Sequence, residues 1–270
     1  MTSPESAVYP APPEYNIFKK KIQELTAIDL DAYKPQIHRR IHQLMQRWGM
    51  KNYDEYYKVI ALNPDKLREF LDYLTINVTE FFRNAEKWWE LKDKIIPQMY
   101  RELGHQRIRL WSAACSTGEE PYSLAILAAE CHVAAAQPVL AVDIDNGVLA
   151  KAVEGIYAKR SIINAPKEWI VKYFTEVDAD TVKVKKELKD KVKFKHLDLI
   201  KDHFESGFDI ILCRNVVIYF GAETKAMLYK KFLTALRPGG YLMTGATEQI
   251  FDYKNLGFEA AGPFLYRRPK

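Results

Sequence analysis

The sequence predicts an α/β fold with a mostly parallel sheet, preceded by a small all-helical domain. From about residue 105 onward, strand-like apolar runs alternate with helical stretches, a pattern typical of βαβ units. Before residue 75 there is no strand pattern, and apolar residues recur at spacings of three and four. Of the 270 residues, 48% are hydrophobic and 13% aromatic, so we expect a chain that buries a sizeable core rather than a disordered one.

Composition also excludes several classes of protein. The three cysteines are widely spaced and form no CxxC pair, which favours a reducing compartment and argues against zinc or iron–sulfur ligation. No apolar run approaches the length of a membrane span, about 18 residues, and the proline-rich start is unlike a signal peptide. The net charge of +5 is only mildly basic. We therefore expect a cytoplasmic globular protein without a metal and without direct membrane insertion.

The chain divides into four predicted segments. Residues 1–14 form a disordered lead-in, because four prolines oppose helix and sheet. Residues 15–75 form the helical N-terminal domain, a bundle of about four short helices. Residues 76–104 contain a linker and a connecting amphipathic helix, which is expected over 79–103. Residues 105–270 form the α/β domain.

Five strands and three helices are predicted in the α/β domain. The strands lie at 108–112, 139–142, 192–197, 208–213 and 241–244, and the helices at 121–132, 147–152 and 223–236. The segment 236–240, Leu-Arg-Pro-Gly-Gly, is expected to be a turn that ends a helix and leads into a strand. Valine alternates with lysine in the stretch 181–195, which predicts a two- or three-stranded antiparallel insert at about 157–193 with one solvated face.

The loop after the first strand indicates the class of ligand. In an open α/β sheet, a nucleotide-like ligand binds beyond the carboxyl ends of the strands. This loop has one glycine, Gly118, where a dinucleotide would require GxGxxG, and Glu119 and Glu120 begin the helix that follows. Two carboxylates there would repel phosphates but suit an amine and a sulfonium, which predicts S-adenosylmethionine rather than NAD or ATP. Glu120 could alternatively close a capping box with Thr117.

Polar side chains also follow the next three strands. Asp143 ends the second strand, where it can accept hydrogen bonds from both ribose hydroxyls of an adenosine. Asp198 follows the third strand and could accept one from an adenine amino group. The pair Arg214 and Asn215 follows the fourth strand, with Tyr219 beyond it. Either aspartate alone could instead form a strand-end turn. Suitable groups at four successive strand ends together favour an adenosyl ligand.

Five long sequence strings resemble one known family. They are NVTEFFRN (77–84), WSAACSTGEEPYSLAI (111–126), DIDNGVLAKAVEGIY (143–157), CRNVVIYF (213–220) and LRPGGYLMTGATE (236–248). They resemble the CheR family of chemotaxis receptor glutamate methyltransferases, from about Phe18 to the C-terminus. The resemblance implies a Rossmann-like class I S-adenosylmethionine methyltransferase domain with a small all-helical N-terminal domain and an inserted small antiparallel β-subdomain. It also implies methyl transfer from S-adenosylmethionine to glutamate side chains on the cytoplasmic helical bundle of chemoreceptors, with S-adenosylhomocysteine as the product.

The resemblance implies residue roles as well. Arg83 and Tyr219 match the pair near the transferred methyl group. The implied cofactor contacts are Asn77, Thr79, Arg83, Ala114, Glu120, Asp143, Asp198, Leu199 and Asn215. Asn77 could instead cap a helix with Glu80 at its third position, and Tyr219 could be a packed core tyrosine. Some members carry a glycine-containing loop that docks a receptor pentapeptide. The corresponding segment 175–184 has no glycine, so the chain resembles the pentapeptide-independent branch.

A basic helix is the predicted docking surface for the receptor. Residues 33–51 contain five Lys or Arg and no acid, and Arg39, Arg40 and Arg47 fall on or near one side of the helix. This side would attract an acidic helical bundle, although it could be an ordinary solvated face. Nucleic acid is not the expected substrate, because no Asn/Asp-Pro-Pro-Tyr motif follows the fourth strand. Two alternative functions are a methyltransferase acting on another substrate and a cofactor-binding receptor adaptor without turnover.

Overall fold

The computed structural model describes residues 12–26, 28–33, 36–74, 79–103, 107–133 and 135–270. The chain forms two compact units. The first comprises Met1–Asn77 with Tyr219–Thr224, and the second comprises Val78–Ile218 with Lys225–Lys270. Residues 1–11 of the predicted lead-in lie outside the described residues.

The first unit is helical, as the three- and four-residue spacing predicts. Its helices are α1 Pro13–Thr26, α2 Gln36–Arg47, α3 Tyr53–Leu62 and α4 Pro64–Leu74. Helix α1 begins inside the predicted lead-in, at Pro13, because proline lacks only an N–H that the first turn leaves unpaired in any case. In the core, the Phe18 ring stacks on Tyr56 with centroids 5.5 Å apart and meets Phe70 edge-on at 6.1 Å. Aromatic packing therefore joins α1, α3 and α4.

The second unit is built on a seven-stranded sheet. The strands of the protein are β1 Leu110–Ala113, β2 Val139–Asp143, β3 Ile156–Ala158, β4 Phe174–Glu176, β5 Thr181–Val184, β6 Val192–His196, β7 Phe208–Cys213, β8 Leu236–Thr244, β9 Glu259–Gly262 and β10 Leu265–Arg267. The large sheet has the order β6-β2-β1-β7-β8-β10-β9. Its first five strands pair in parallel, whereas β10 pairs antiparallel with both β8 and β9. The mostly parallel sheet predicted from alternating strands and helices is confirmed.

Helices connect these strands. The remaining helices are α5 Ala85–Glu90, α6 Ile96–Glu102, α7 Glu119–Glu130, α8 Asn146–Glu154, α9 Lys167–Tyr173, α10 Lys186–Lys189 and α11 Ala222–Ala235. Helix α7 is buried over most of its length, from Pro121 to Ala128. It is apolar on nearly every side because it packs against β1 and β2 and also against α10.

The predicted helix over 79–103 starts too early. Helix α5 begins at Ala85, and a π-helical turn, Leu91–Ile95, joins it to α6. Residues 81–84 form a turn in which Phe82 (φ 53°) and Asn84 (φ 59°) are left-handed. The amide of Phe81 donates to the Ser161 carbonyl at 2.9 Å, and that of Phe82 donates to Ser123 Oγ at 3.0 Å. These tertiary hydrogen bonds outweigh the helical pattern of the segment.

The antiparallel insert is confirmed as a small sheet, but its limits differ from those predicted. Strands β3, β5 and β4 form a three-stranded antiparallel sheet in that order, within 156–184. The second half of the Val/Lys stretch is not part of it, because β6 pairs in parallel with β2 at the edge of the large sheet. An exposed edge strand alternates apolar and charged residues in the same way as an antiparallel one, so the pattern does not distinguish the two.

Two further features at the C-terminal end were wrongly predicted or missed. The segment 236–240 is the start of β8 rather than a turn, and the pairing of β7 with β8 shifts register between Phe208 and Ile210. Strands β9 and β10 were not predicted. The sequence of β9, Glu-Ala-Ala-Gly, has no β-branched or aromatic residue and takes its strand conformation from pairing with β10.

Candidate active site

The carboxyl ends of four parallel strands meet at one edge of the large sheet. Ala113 at the end of β1 is in register with Val142 of β2 and with Cys213 of β7, and Asp143 of β2 is in register with His196 of β6. The segments that follow these strands therefore start side by side. These segments, together with the last residue of β2, contain the predicted cofactor residues Ala114, Glu120, Asp143, Asp198, Leu199 and Asn215.

The loop after β1 is held tightly against the end of β2. Ala114 (φ 63°) and Ser116 (φ 49°) are left-handed although neither is glycine. The Cys115 amide donates to the Val142 carbonyl at 2.8 Å, and the Ser116 amide donates to Asp143 Oδ2 at 2.8 Å. Because hydrogen bonds from its backbone impose this conformation, the loop is already shaped when it meets a ligand.

Gly118 ends this loop and is required there by both conformation and space. Its φ is +97°, which non-glycine residues rarely adopt. A Cβ at this position would stand 2.8 Å from the Cβ of Ala152 and 2.9 Å from the hydroxyl of Tyr157. The glycine thus lets the start of α7 pack directly on α8 and β3.

The two glutamates at the start of α7 have different partners. The Thr117 hydroxyl donates to Glu119 Oε2 at 2.6 Å, whereas Glu120 Oε1 accepts from Ser112 Oγ at 2.8 Å and its Oε2 lies 3.4 Å from Arg214 Nη1. Gly118 is the N-cap and makes no side-chain capping bond. The alternative reading of Glu120 as half of a capping box with Thr117 is therefore wrong.

Burial shapes the ionisation of both glutamates. Desolvation raises the pKa of Glu119, and the hydrogen bond from Thr117 opposes this shift. Desolvation also raises the pKa of Glu120, while the Arg214 guanidinium, followed by the Ser112 hydroxyl, opposes it. Negative charge at the start of α7 therefore depends on specific partners.

Asp143 serves the local fold and retains capacity for a ligand. Its Oδ2 accepts from the Ser116 amide, and its Oδ1 accepts from the Asp145 amide at 3.0 Å. A carboxylate has about four acceptor sites, so two backbone bonds leave room for further donors. Burial raises the pKa of Asp143, and hydrogen bonds from the Asp145 and Ser116 amides oppose the shift.

Asp198 and Leu199 follow β6 in a similar arrangement. Asp198 Oδ1 accepts from the Ile200 amide at 2.8 Å and from the Lys201 amide at 3.3 Å, so the aspartate shapes the turn at this strand end. Leu199 is buried and its carbonyl accepts from the Lys231 ammonium at 2.7 Å. The turn-forming role considered for both aspartates is thus present, and it does not use all their acceptor sites.

Asn215 is held by a glutamate that the sequence analysis did not single out. Asn215 is left-handed (φ 62°), and its amide donates to Glu248 Oε2 at 2.6 Å. The same oxygen accepts from the Gly245 amide at 2.7 Å, and Glu248 Oε1 accepts from the Ile218 amide at 3.2 Å. Glu248 is only 3% exposed. The signal was available in the string LRPGGYLMTGATE, whose last residue is this glutamate.

The predicted linker contacts are only partly described. Asn77, and with it the alternative helix cap, lies outside the described residues. Thr79 is half-buried and precedes the 81–84 turn. Arg83, also half-buried, lies in the turn itself, and its carbonyl accepts from Trp88 Nε1 at 3.0 Å and from Arg214 Nη2 at 2.7 Å. Arg214 was noted in the sequence as polar but was not included among the predicted site residues.

Tyr219 and the predicted docking arginines belong to the first unit. The Arg40 guanidinium donates to the Tyr73 carbonyl and stands 5.3 Å from the ring centroid of Tyr73 and 5.8 Å from that of Tyr219. Arg47 stands 5.3 Å from the Tyr73 centroid. Arg39 is exposed. The three arginines are therefore not equivalent, because Arg40 and Arg47 already contact aromatic rings of their own unit.

The chemistry of the sheet edge fits S-adenosylmethionine. Glu119, Glu120 and Asp143 place carboxylates around the start of α7, which is where a phosphate would otherwise bind. These carboxylates would repel a phosphate and attract a ligand that carries a sulfonium and an amino group. Within the described residues, no group of three or more His, Cys, Asp or Glu side chains is arranged to hold a metal ion. The fold and the charge of this edge together define a methyltransferase of the class that uses S-adenosylmethionine.

Comparison with known proteins identifies the family. Residues 77–262 match the CheR methyltransferase SAM-binding domain, and residues 13–75 match the CheR methyltransferase all-alpha domain. Two similar relatives are chemotaxis protein methyltransferases of Listeria innocua, 36% identical over 94% of this chain and 96% of the relative, and of Listeria monocytogenes, 35% identical over the same shares. A third relative, the chemotaxis protein methyltransferase of Borreliella burgdorferi, is 37% identical over 86% of this chain and 85% of the relative. The chain belongs to the CheR methyltransferase family, and its cofactor is S-adenosylmethionine.

Proposed function

We propose that this protein transfers a methyl group from S-adenosylmethionine to glutamate carboxylates of chemoreceptors and forms glutamate methyl esters. The observation that carries the proposal is the match of both CheR domains over residues 13–75 and 77–262, nearly the whole chain. The relatives with this arrangement are named chemotaxis protein methyltransferases. Among the described residues, no helix has both the length and the apolar character needed to cross a membrane. We assign the cytoplasmic part of the receptors as the substrate, and hence the cytoplasm as the site of action.

The residues at the sheet edge would hold the cofactor by its charged and polar groups. Asp143 is assigned to the ribose hydroxyls and Asp198 to the adenine amino group, because each has acceptor capacity beyond its backbone bonds. Glu120 supplies negative charge toward the cationic part of the cofactor. The remaining assigned contacts are Ala114, Leu199, Asn215, Asn77, Thr79 and Arg83.

The reaction needs no general base. A glutamate side chain with an ordinary pKa of about 4.3 is more than about 99% ionised at neutral pH, so the nucleophile is already a carboxylate. S-adenosylmethionine supplies a methyl group on a positively charged sulfur and leaves as the neutral thioether S-adenosylhomocysteine. A carboxylate oxygen forms the new bond to the methyl carbon as the carbon–sulfur bond breaks, and the electron pair goes to sulfur. The protein's task is alignment, which can contribute about 7–11 kcal/mol.

Arg83 and Tyr219 are assigned to the incoming carboxylate. The planar fork of a guanidinium matches the two oxygens of a carboxylate, and a tyrosine hydroxyl can add a third hydrogen bond. Charge is neutralised as the reaction proceeds, so a guanidinium that held the ground-state carboxylate tightly would slow the reaction. We therefore assign to Arg83 the orientation of the carboxylate rather than its tight binding.

Receptor docking is assigned to α2 without a pentapeptide tether. Arg39 is exposed, and the side of α2 that carries it has basic neighbours but no acid in residues 33–51. In the small sheet, β4 and β5 are joined by only residues 177–180. Asp178 Oδ1 accepts from the Asp180 and Thr181 amides at 2.8 Å each and so closes a tight turn. Such a short turn offers little surface for an added peptide strand.

A single labelling experiment tests the proposed function. The protein is incubated with S-adenosylmethionine radiolabelled in the methyl group and with chemoreceptor-containing membranes, and the receptor band is then treated with alkali. We expect label on the receptor that is released as methanol, because methyl esters of glutamate are base-labile. Base-stable label would indicate another kind of substrate. Tight cofactor binding without any labelled receptor would indicate an adaptor without turnover.

A further inference from the structure

Arg214 connects the 81–84 turn to the start of α7, two parts of the proposed active site, and lies in neither of them. It follows β7 directly, and its side chain is only 3% exposed. One end nitrogen, Nη2, donates to the Arg83 carbonyl at 2.7 Å and to Asn84 Oδ1 at 2.9 Å. The other, Nη1, lies 3.4 Å from Glu120 Oε2. The fork thus bridges the 81–84 turn and the start of α7.

The turn that Arg214 holds has an unfavourable backbone. Two of its residues, Phe82 and Asn84, are left-handed without being glycine, so the turn persists only because its surroundings impose it. The Arg83 carbonyl takes part in this restraint, since Arg214 and the indole of Trp88 both donate to it. The guanidinium carbon of Arg214 also stands 5.8 Å from the centroid of the Trp88 ring. The direction in which the Arg83 side chain leaves the turn follows from these bonds.

At its other end, Arg214 forms an ion pair with Glu120. Glu120 accepts a hydrogen bond from the Ser112 hydroxyl on one oxygen, and the Arg214 guanidinium is the cation beside its other oxygen. Breaking a buried pair by removing one charge leaves the other uncompensated, which favours the neutral acid. A lysine at position 214 could retain this positive charge, but its single ammonium cannot also serve the carbonyl and the amide oxygen as the fork does.

We propose that Arg214 is a positioning residue for methyl transfer, which fixes Arg83 through the backbone of the 81–84 turn while it holds Glu120. This inference rests on the proposed function and adds a residue that acts through others. It predicts two separable effects. The fork controls turnover, through the geometry of the turn, and the charge controls cofactor affinity, through Glu120.

Three substitutions separate these effects. Arg214→Lys keeps the charge but loses the fork, so we expect kcat to fall roughly tenfold, the scale of a small misplacement of an aligned group, with cofactor affinity changed less than about twofold. Arg214→Met loses both, so kcat and cofactor affinity should each fall by about tenfold or more. Asn84→Gly removes one acceptor yet suits the φ of 59°, so kcat should fall by about threefold with cofactor affinity unchanged.

A half-buried arginine that pairs with a buried aspartate provides the matched control. Arg237 at the start of β8 pairs with Asp209, near the amino ends of the strands and away from the candidate site. Arg237→Lys should lower the melting temperature as Arg214→Lys does but leave kcat, KM and cofactor affinity unchanged. If both substitutions reduce stability and neither changes kcat, Arg214 is only a structural residue and the inference is overturned.

Hydrogen exchange tests the same inference without a receptor. In Arg214→Lys, amides of the segment 79–88 should exchange several-fold faster than in the wild type, and in Arg237→Lys they should not. Wild-type protein that labels no receptor would contradict the proposed function. The exchange result would still decide the positioning role: faster exchange confined to 79–88 supports it, and unchanged exchange there rejects it.

Discussion

The carboxylates at the sheet edge are strongly desolvated but remain individually partnered. Asp143 accepts hydrogen bonds from two backbone amides, and Glu119 accepts one from a hydroxyl. Glu120 accepts one from a hydroxyl and also lies beside a guanidinium. Burial raises the pKa of all three. A cation bound among them would be only weakly screened by water, so the attraction is stronger than on an exposed surface. The same burial makes the site sensitive to protonation.

We expect cofactor affinity to fall as the pH is lowered from neutral toward the acid range. A raised pKa means that Asp143, Glu119 and Glu120 take up protons above the ordinary carboxyl range of about 4, and the protonated forms lose the charge that binds the cofactor. Proton uptake therefore favours the free protein, and the affinity decreases toward acid pH. Titration calorimetry with S-adenosylhomocysteine at several pH values measures this slope.

Asp143→Asn tests the contribution of that carboxylate. A neutral amide cannot replace the charged acceptor, so we expect S-adenosylhomocysteine to bind roughly ten- to a hundredfold more weakly at neutral pH, with a shallower pH slope. Asp145→Asn is the matched control, because Asp145 caps α8 through the Gly147 and Val148 amides and asparagine caps about as well. Unchanged affinity in Asp143→Asn would show that the ribose role is wrong.

At the level of single residues, sequence could predict position but not partners. Asp143 and Asp198 were placed correctly at strand ends, since a strand end is visible from the apolar run before it. That Glu120 meets Arg214, ninety-four positions later, depends on β1 and β7 being neighbours in the sheet. Glu248 was missed for the same reason, because its backbone partners at Asn215 and Ile218 lie on another strand's loop.

At the level of elements, local pattern failed where tertiary contacts decide the backbone. Strand β7 was predicted with both its first and its last residue correct, because a fully buried parallel strand is apolar almost throughout. The 81–84 turn reads as helix but is held left-handed by Ser123, Ser161 and Arg214. Strand β9 has no intrinsic strand preference and exists through its partner β10.

The junction between the loop after β1 and α7 offers a test at this scale. Gly118→Ala places a Cβ 2.8 Å from Ala152 and forces a left-handed alanine. We expect the free energy of unfolding to fall by about 2–4 kcal/mol, since the left-handed strain and the overpacking add. Urea denaturation measures this change, and S-adenosylhomocysteine affinity should fall too, because the loop carries Ala114 and Ser116.

Gly221→Ala is the matched control for that substitution. Gly221 has no heavy atom within 4 Å of the Cβ position, and its φ is not in the left-handed region. Its replacement should lower the free energy of unfolding by no more than about 1 kcal/mol, because alanine is less favoured than glycine at the residue before helix α11. If Gly118→Ala lowers the free energy of unfolding no more than Gly221→Ala does, the loop can relax, and its geometry is not essential to the start of α7.

Helix α2 allows a sharper docking test than reversal of all three arginines. Arg40 and Arg47 contact Tyr73, and Arg40 also contacts Tyr219, so their substitution would disturb the first unit itself. Arg39→Glu changes an exposed residue, and we expect the KM for receptor to rise several-fold with cofactor affinity unchanged. Lys20→Glu, an exposed residue of α1, makes the same charge change elsewhere. If both variants raise the KM for receptor equally, the net charge of the protein and not the surface of α2 determines receptor docking.

At the scale of the whole molecule, the protein combines two kinds of electrostatic site. The proposed cofactor site is negative and partly buried, whereas the proposed docking face on α2 is positive and carries the exposed Arg39. The net charge of +5 is small, so attraction to an acidic receptor depends on where the basic residues lie rather than on their total. Buried and exposed sites respond differently to salt, because screening acts mainly through the solvent.

Salt should therefore separate docking from cofactor binding. Raising the salt concentration from about 0.05 M to about 0.3 M shortens the screening length to well under 10 Å, so kcat/KM for receptor methylation should fall several-fold. S-adenosylhomocysteine affinity should change much less over the same range, because its carboxylate partners are partly buried. Arg39→Glu should flatten the salt dependence of kcat/KM, since it removes part of the attraction being screened. If kcat/KM for receptor methylation does not change with salt, α2 does not attract the receptor by charge. This conclusion holds even if the enzyme methylates the receptor at a normal rate.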